Sequence, residues 1–165
     1  MKNLNLLLFI IVIFSQNINA TKGDTLSYIF LGHIYDWEFP DKVDPRIEKM
    51  DFSKYDRIWL GGDICSEASL NYSTIMYIDS IFDIGKPQNH WTLGNHDTRN
   101  KNHEFIKEFT KRPTYYTYSK DGITTIVMNG NISPLDCENL DKQFHMIRNV
   151  CDTMKSGHLI FLIHH

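Results

Sequence analysis

Apolar positions along the chain fall into two rhythms. Short unbroken runs, rich in β-branched and aromatic residues and too brief for helices, mark buried strands at 26–31 (LSYIFL), 56–60 (DRIWL), 90–93 (HWTL) and 159–163 (LIFLI). Between them, spacings of three and four mark helices. Ile75, Ile78, Ile81 and Phe82 share one face over 71–84, with Asn71 or Ser73 as the N-cap. Phe105, Ile106 and Phe109 do the same over 102–111. Leu140, Phe144, Ile147, Cys151 and Met154 predict an amphipathic helix whose apolar face, Cys151 included, packs inward, with Gly157 closing it. The charged stretch 41–55, with Pro45, predicts a loop and a short helix near 46–50. Strand-like runs at 115–119 and 123–129 flank Lys120-Asp121-Gly122, and an Asp-Gly between two such runs predicts a hairpin. Buried-type strands alternating with helices, apart from that hairpin, predict an α/β chain with a largely parallel central sheet flanked by helices.

The first twenty residues stand apart from this pattern. Lys2 is followed by an apolar run at 4–14 interrupted only by Asn5, and 15–20 is polar and ends in the small residue Ala20. That is the layout of a secretory signal peptide cleaved after Ala20. The run of about eleven residues is too short for a spanning helix, which needs about 20. The expectation is an exported protein, periplasmic or secreted, with a leader at 1–20, one domain at 21–165 and no membrane segment after cleavage. A length of 165 residues, 42% of them hydrophobic, suffices for one core. A net charge of −3 excludes the basic footprint of a nucleic-acid binder. Cys65, Cys137 and Cys151 contain no C-x-x-C, which argues against a thiolate zinc site, and leave Cys137 and Cys151 free to pair across a short loop.

Chemistry concentrates where the strands end. Gly32-His33 follows the first strand, with Asp36 close behind. Gly62-Asp63 follows the second, Gly94-Asn95-His96-Asp97 the third, and His164-His165 the last. Ligands of open α/β sheets bind outside the carboxyl ends of strands, so four strand ends deliver Asp, Asn and His to one edge. A lone Gly-Asp is an ordinary turn. Asn-His-Asp in one turn, with the other ends agreeing, is a concentration of metal-ligand and proton-transfer groups.

Gly62-Asp63, then Gly94-Asn95-His96-Asp97, then an apolar strand running into His164-His165 resembles the signature of the calcineurin-like metallophosphoesterases, over 28–165. The resemblance implies a metallophosphoesterase-like α/β sandwich of mostly parallel sheets flanked by helices. It implies hydrolysis of phosphate mono- or diesters by a water activated between two divalent ions (Mn, Fe, Zn or Mg). Asp63 would bridge the ions, and Asn95 and His164, or His165 in its place, would bind the second. His96 would be the general acid or a positioned cation, oriented by Asp97. Two cations about 3.5–4 Å apart need such a shared carboxylate. The substrate, small or macromolecular, stays open among nucleotides, sugar nucleotides, phospholipids and phosphoproteins.

The chain departs from that family twice. The first family motif is Asp-x-His, and here Leu31-Gly32-His33-Ile34-Tyr35-Asp36 stands in its place. Either Leu31 replaces the aspartate before His33, or His33 replaces the aspartate and Tyr35 the histidine. His33 is the candidate ligand in both alignments, and Asp36 can supply the lost carboxylate. The family domain also continues past the His-His strand with a Gly-x-His-x-His segment, so the resemblance implies a domain cut short at its C-terminus. Both departures leave a second reading open, a catalytically inactive binding protein on the same fold. Trp37, Trp59 and Trp91 are expected to pack rather than to meet substrate.

Overall fold

The computed structural model describes residues 25–100, 103–132 and 136–164. The expected leader at 1–20 and His165 lie outside them. The chain forms strand β1 (Tyr28–Leu31), helix α1 (Pro45–Glu48), a 3-10 turn at Phe52–Lys54, β2 (Arg57–Leu60), α2 (Tyr72–Phe82), β3 (His90–Trp91), α3 (His103–Thr110), β4 (Tyr116–Lys120), β5 (Ile123–Val127), α4 (Cys137–Thr153) and β6 (His158–Leu162). This is a mixed α/β chain. Among the described residues, no helix is long and apolar enough to cross a membrane.

The buried-type strands divide between two sheets instead of sharing one. β1, β2 and β3 form a parallel sheet in that order. β6 lies parallel to β5, the second strand of the hairpin, so the other sheet runs β4-β5-β6. The hairpin closes in two residues, with Lys120 paired to Ile123. Asp121 and Gly122 both take positive φ, 54° and 73°, as the tight turn of a two-residue hairpin requires. Arg57, buried on β2, reaches across to this turn and pairs with Asp121 at 2.7 Å.

α2 follows the sequence pattern. It buries Ile75, Ile78 and Phe82, and the Asn71 side chain accepts from the Thr74 N–H as its N-cap. α4 does not. Phe144 is 64% exposed and Cys151 is exposed, so the expected packing of Cys151 is corrected. Gln143 is the residue α4 buries; its Oε1 accepts from Asn129 N–H and its Nε2 donates to Asn129 C=O. A polar clamp fixes this helix where an apolar stripe was expected. Cys65, Cys137 and Cys151 are all free thiols.

Between the sheets, His90 carries a testable consequence. Arg112 Nη1 lies 3.2 Å from its Nδ1. A guanidinium only donates, so the ring proton sits on Nε2, which is buried without a partner. Burial, with the positive charges of Arg112 and Arg57, pushes the His90 pKa from 6.5 down to about 3. Below pH 6.5 the unfolded chain binds a proton that the folded chain refuses. Stability therefore falls as pH is lowered from 6.5 toward 3, by up to about 1.4 kcal/mol per pH unit from this group. Urea midpoints at pH 7 and pH 5 should separate more in the wild type than in His90→Gln. Equal separations would assign the effect to other groups.

Candidate metal centre

Parallel pairing sets the site. Leu31 pairs with Leu60 and Leu60 with Trp91, so the segments leaving β1, β2 and β3 emerge side by side. His33 and Asp63 both adopt the left-handed conformation there, φ 52° and 54°. Each such residue costs about 1–2 kcal/mol relative to ordinary backbone. The His33 N–H donates to Gly62 C=O at 3.0 Å, locking the first two ends together. The second sheet supplies the third side. β6 ends at Leu162, and His164 follows it back to the first sheet, its Nδ1 lying 2.9 Å from Gly61 C=O.

These ends converge on one carboxylate. Asp63 Oδ2 lies 3.3 Å from His33 Nε2 and 3.5 Å from His164 Nε2. The two imidazoles stack with centroids 4.9 Å apart. Asp63 and His164 are 2% and 5% exposed, whereas His33 is open to solvent. A carbonyl only accepts, so His164 Nδ1 carries a proton, and in the metal-ligand tautomer Nε2 turns its lone pair toward a carboxylate oxygen. Two acceptors facing each other in a buried site are satisfied by a cation between them. One ligand atom from each residue lies within 4.8 Å of the others, the one such cluster of His, Cys, Asp and Glu among the described residues. Ligand atoms about 2.1 Å from a tetrahedral ion are about 3.4 Å apart, so the spacings to Asp63 fit one divalent ion. Two imidazoles and a carboxylate suit Zn, Mn or Fe.

The remaining expected residues take different places. Leu31 is buried in the core, so His33, not position 31, is what β1 brings to the site. Asp36 does not join the cluster: its Oδ1 accepts from the N–H groups of Glu38 and Phe39 and caps a turn. Asn95 is exposed on the loop over Asp63. That loop sits so close that a side chain at Gly94 would strike Asp63 Oδ1, and the His96 N–H donates to the same oxygen at 3.0 Å.

Asp97 does not orient the His96 ring, which corrects the expected pairing. Its carboxylate, wholly buried, accepts from the N–H groups of Asp63 (2.9 Å), Ile64 (3.0 Å) and Gly94 (2.8 Å) and from the Trp91 indole (3.1 Å). Burial pushes its pKa up to about 6 even though the backbone N–H groups of Gly94, Ile64 and Asp63 favour the charged form. Asp97 therefore positions Asp63 through the backbone. The His96 ring is held elsewhere: Nδ1 donates to Ser66 C=O at 2.9 Å, and Nε2 accepts from Arg99 Nη2 at 3.0 Å. Arg99 is a site residue that the strand-end pattern misses. Its signal is its position, two residues past Asp97 on the same turn.

No family model matches the chain, and a search of curated proteins finds no match.

Proposed function

We propose that the protein is an exported, metal-dependent hydrolase of phosphate mono- or diesters, built as a metallophosphoesterase-like α/β sandwich. The observation that carries this reading is the meeting of His33, Asp63 and His164 at three strand ends, with His164 Nδ1 tied to Gly61 C=O and Nε2 facing Asp63. These three residues would hold one divalent ion, which sets His164 beside His33 instead of with Asn95 as the family pattern implies, and Asn95 would be left to serve a second. The ions would lower the pKa of a water nucleophile and draw charge from the phosphoryl oxygens. The protein's own part is to fix the ligands and to place charge. Arg99, exposed beside His96, offers its guanidinium to the phosphoryl oxygens. Moving it off Nε2 frees the His96 ring to carry a proton there and pass it to the leaving oxygen.

The test is turnover of 4-nitrophenyl phosphate by the full chain with added Mn or Zn. Metal-dependent turnover, lost on chelation and restored by the ion, is expected. Turnover that ignores chelation would sink the proposal. Tight metal binding without turnover of any ester would favour the inactive binding protein, a reading that Leu31 in place of the family aspartate supports.

A further inference from the structure

The loop after β1 builds a second surface beside the metal trio. His33, Tyr35, Trp37, Asp44, Arg46 and Ile47 line a cleft of about 220 Å³. Drug-sized sites run from about 300 Å³ upward, so this one holds a single ring system. Trp37 is 87% exposed, an indole face left in water where folding ordinarily hides it.

The loop that carries it is tied down. Tyr35 bridges Val43 in antiparallel fashion, Asp36 N–H donates to Lys42 C=O at 2.9 Å, and Asp44 N–H donates to Ile34 C=O at 2.7 Å. The Asp36 carboxylate caps the turn just after Trp37. Tyr35 meets Trp37 edge-on at 4.9 Å and stacks on His96 at 5.3 Å and 17°. Aromatic rings thus run without a break from the exposed indole to the candidate acid, and His33 belongs to both the cleft and the trio. Arg46 and Asp44 close the opposite side as an ion pair, Nη2 to Oδ2 at 2.6 Å, so their charges offset each other.

We infer that Trp37 is a stacking platform for the leaving group, and that the esters taken are phosphates of planar aromatic or nucleoside alcohols. The ring lies against Trp37, and the phosphate reaches the trio past His33. This rests on the hydrolase reading for the ester and on the cleft for the ring. A neutral planar ring uses the indole face, whereas a small aliphatic alcohol leaves it empty.

The test compares wild type, Trp37→Ala and Trp37→Phe on phenyl phosphate, adenosine 5′-monophosphate and glycerol 3-phosphate. Calorimetric titration with adenosine 5′-monophosphate is run alongside. With its side chain in solvent, position 37 tolerates both changes. Trp37→Ala is expected to lower kcat/KM for the two ring esters, and affinity for the nucleotide, about 10-fold, the scale of one base–aromatic stack. Trp37→Phe retains most of both, and glycerol 3-phosphate is unaffected. Equal losses on all three esters, or none, overturn the inference and leave the hydrolase standing. If no ester turns over, the hydrolase reading falls and the titration decides the ring site. Weaker nucleotide binding in Trp37→Ala supports it; unchanged binding overturns it.

Discussion

Asp97→Ala is expected to destabilise the fold by about 4 kcal/mol, a large part of the roughly 5–15 kcal/mol that holds a domain together. Four donors end on this carboxylate: the backbone N–H groups of Asp63, Ile64 and Gly94 and the indole of Trp91. Each donor left buried without a partner costs about 1–3 kcal/mol. The sum is less than four separate penalties because the groups share one acceptor and relax together. Asp97→Asn should fall between. Oδ2 takes three of the bonds and Oδ1 one, so the amide oxygen can keep the three while its NH₂ faces the Ile64 N–H. Urea denaturation at pH 7 checks the order wild type, Asn, Ala. An alanine variant within about 1 kcal/mol of wild type would show that water or a backbone shift replaces the carboxylate.

Why Asp97 carries this weight was not legible in the sequence. His96 and Asp97 are neighbours, and adjacency invites a pairing of side chains. In the folded turn His96 is half-buried beside Ser66 while Asp97 is wholly buried under the β2 end. Order along the chain places both residues at the site, but hydrogen-bond direction depends on which face of the turn each occupies. The strand ends were legible because short apolar runs stopped by glycine have one simple reading, and the first three do emerge together. The α4 face was not, because Leu140, Phe144, Ile147 and Cys151 have helical spacing whether or not anything covers them. Gln143, the residue that anchors the helix, carries no periodic signal. The tryptophans split in the same way. Trp91 packs as expected, while Trp37 sits in solvent at the tip of a tied loop that composition does not reveal.

Asp63→Asn separates a metal centre from a simple ion pair. In the centre, Asp63 is the ligand shared by His33 and His164, and the loss of its charge should weaken Zn or Mn binding at least about 100-fold. The metal-free fold should respond differently. The substituted amide can keep the His96 N–H bond on its oxygen and turn its NH₂ toward the two imidazoles. In a metal centre, His164 is protonated on Nδ1 alone, and its Nε2 presents a lone pair that this NH₂ can satisfy. A repulsive contact becomes a hydrogen bond, so the metal-free variant should match or exceed wild-type stability at neutral pH. If His164 were instead a protonated partner of the carboxylate, removing the Asp63 charge would strand a buried positive charge and cost several kcal/mol. Metal titration and urea denaturation of the same two proteins therefore give opposite signatures. Lost binding with stability retained identifies the metal centre, and a large loss of metal-free stability identifies the ion pair and removes the basis for the hydrolase.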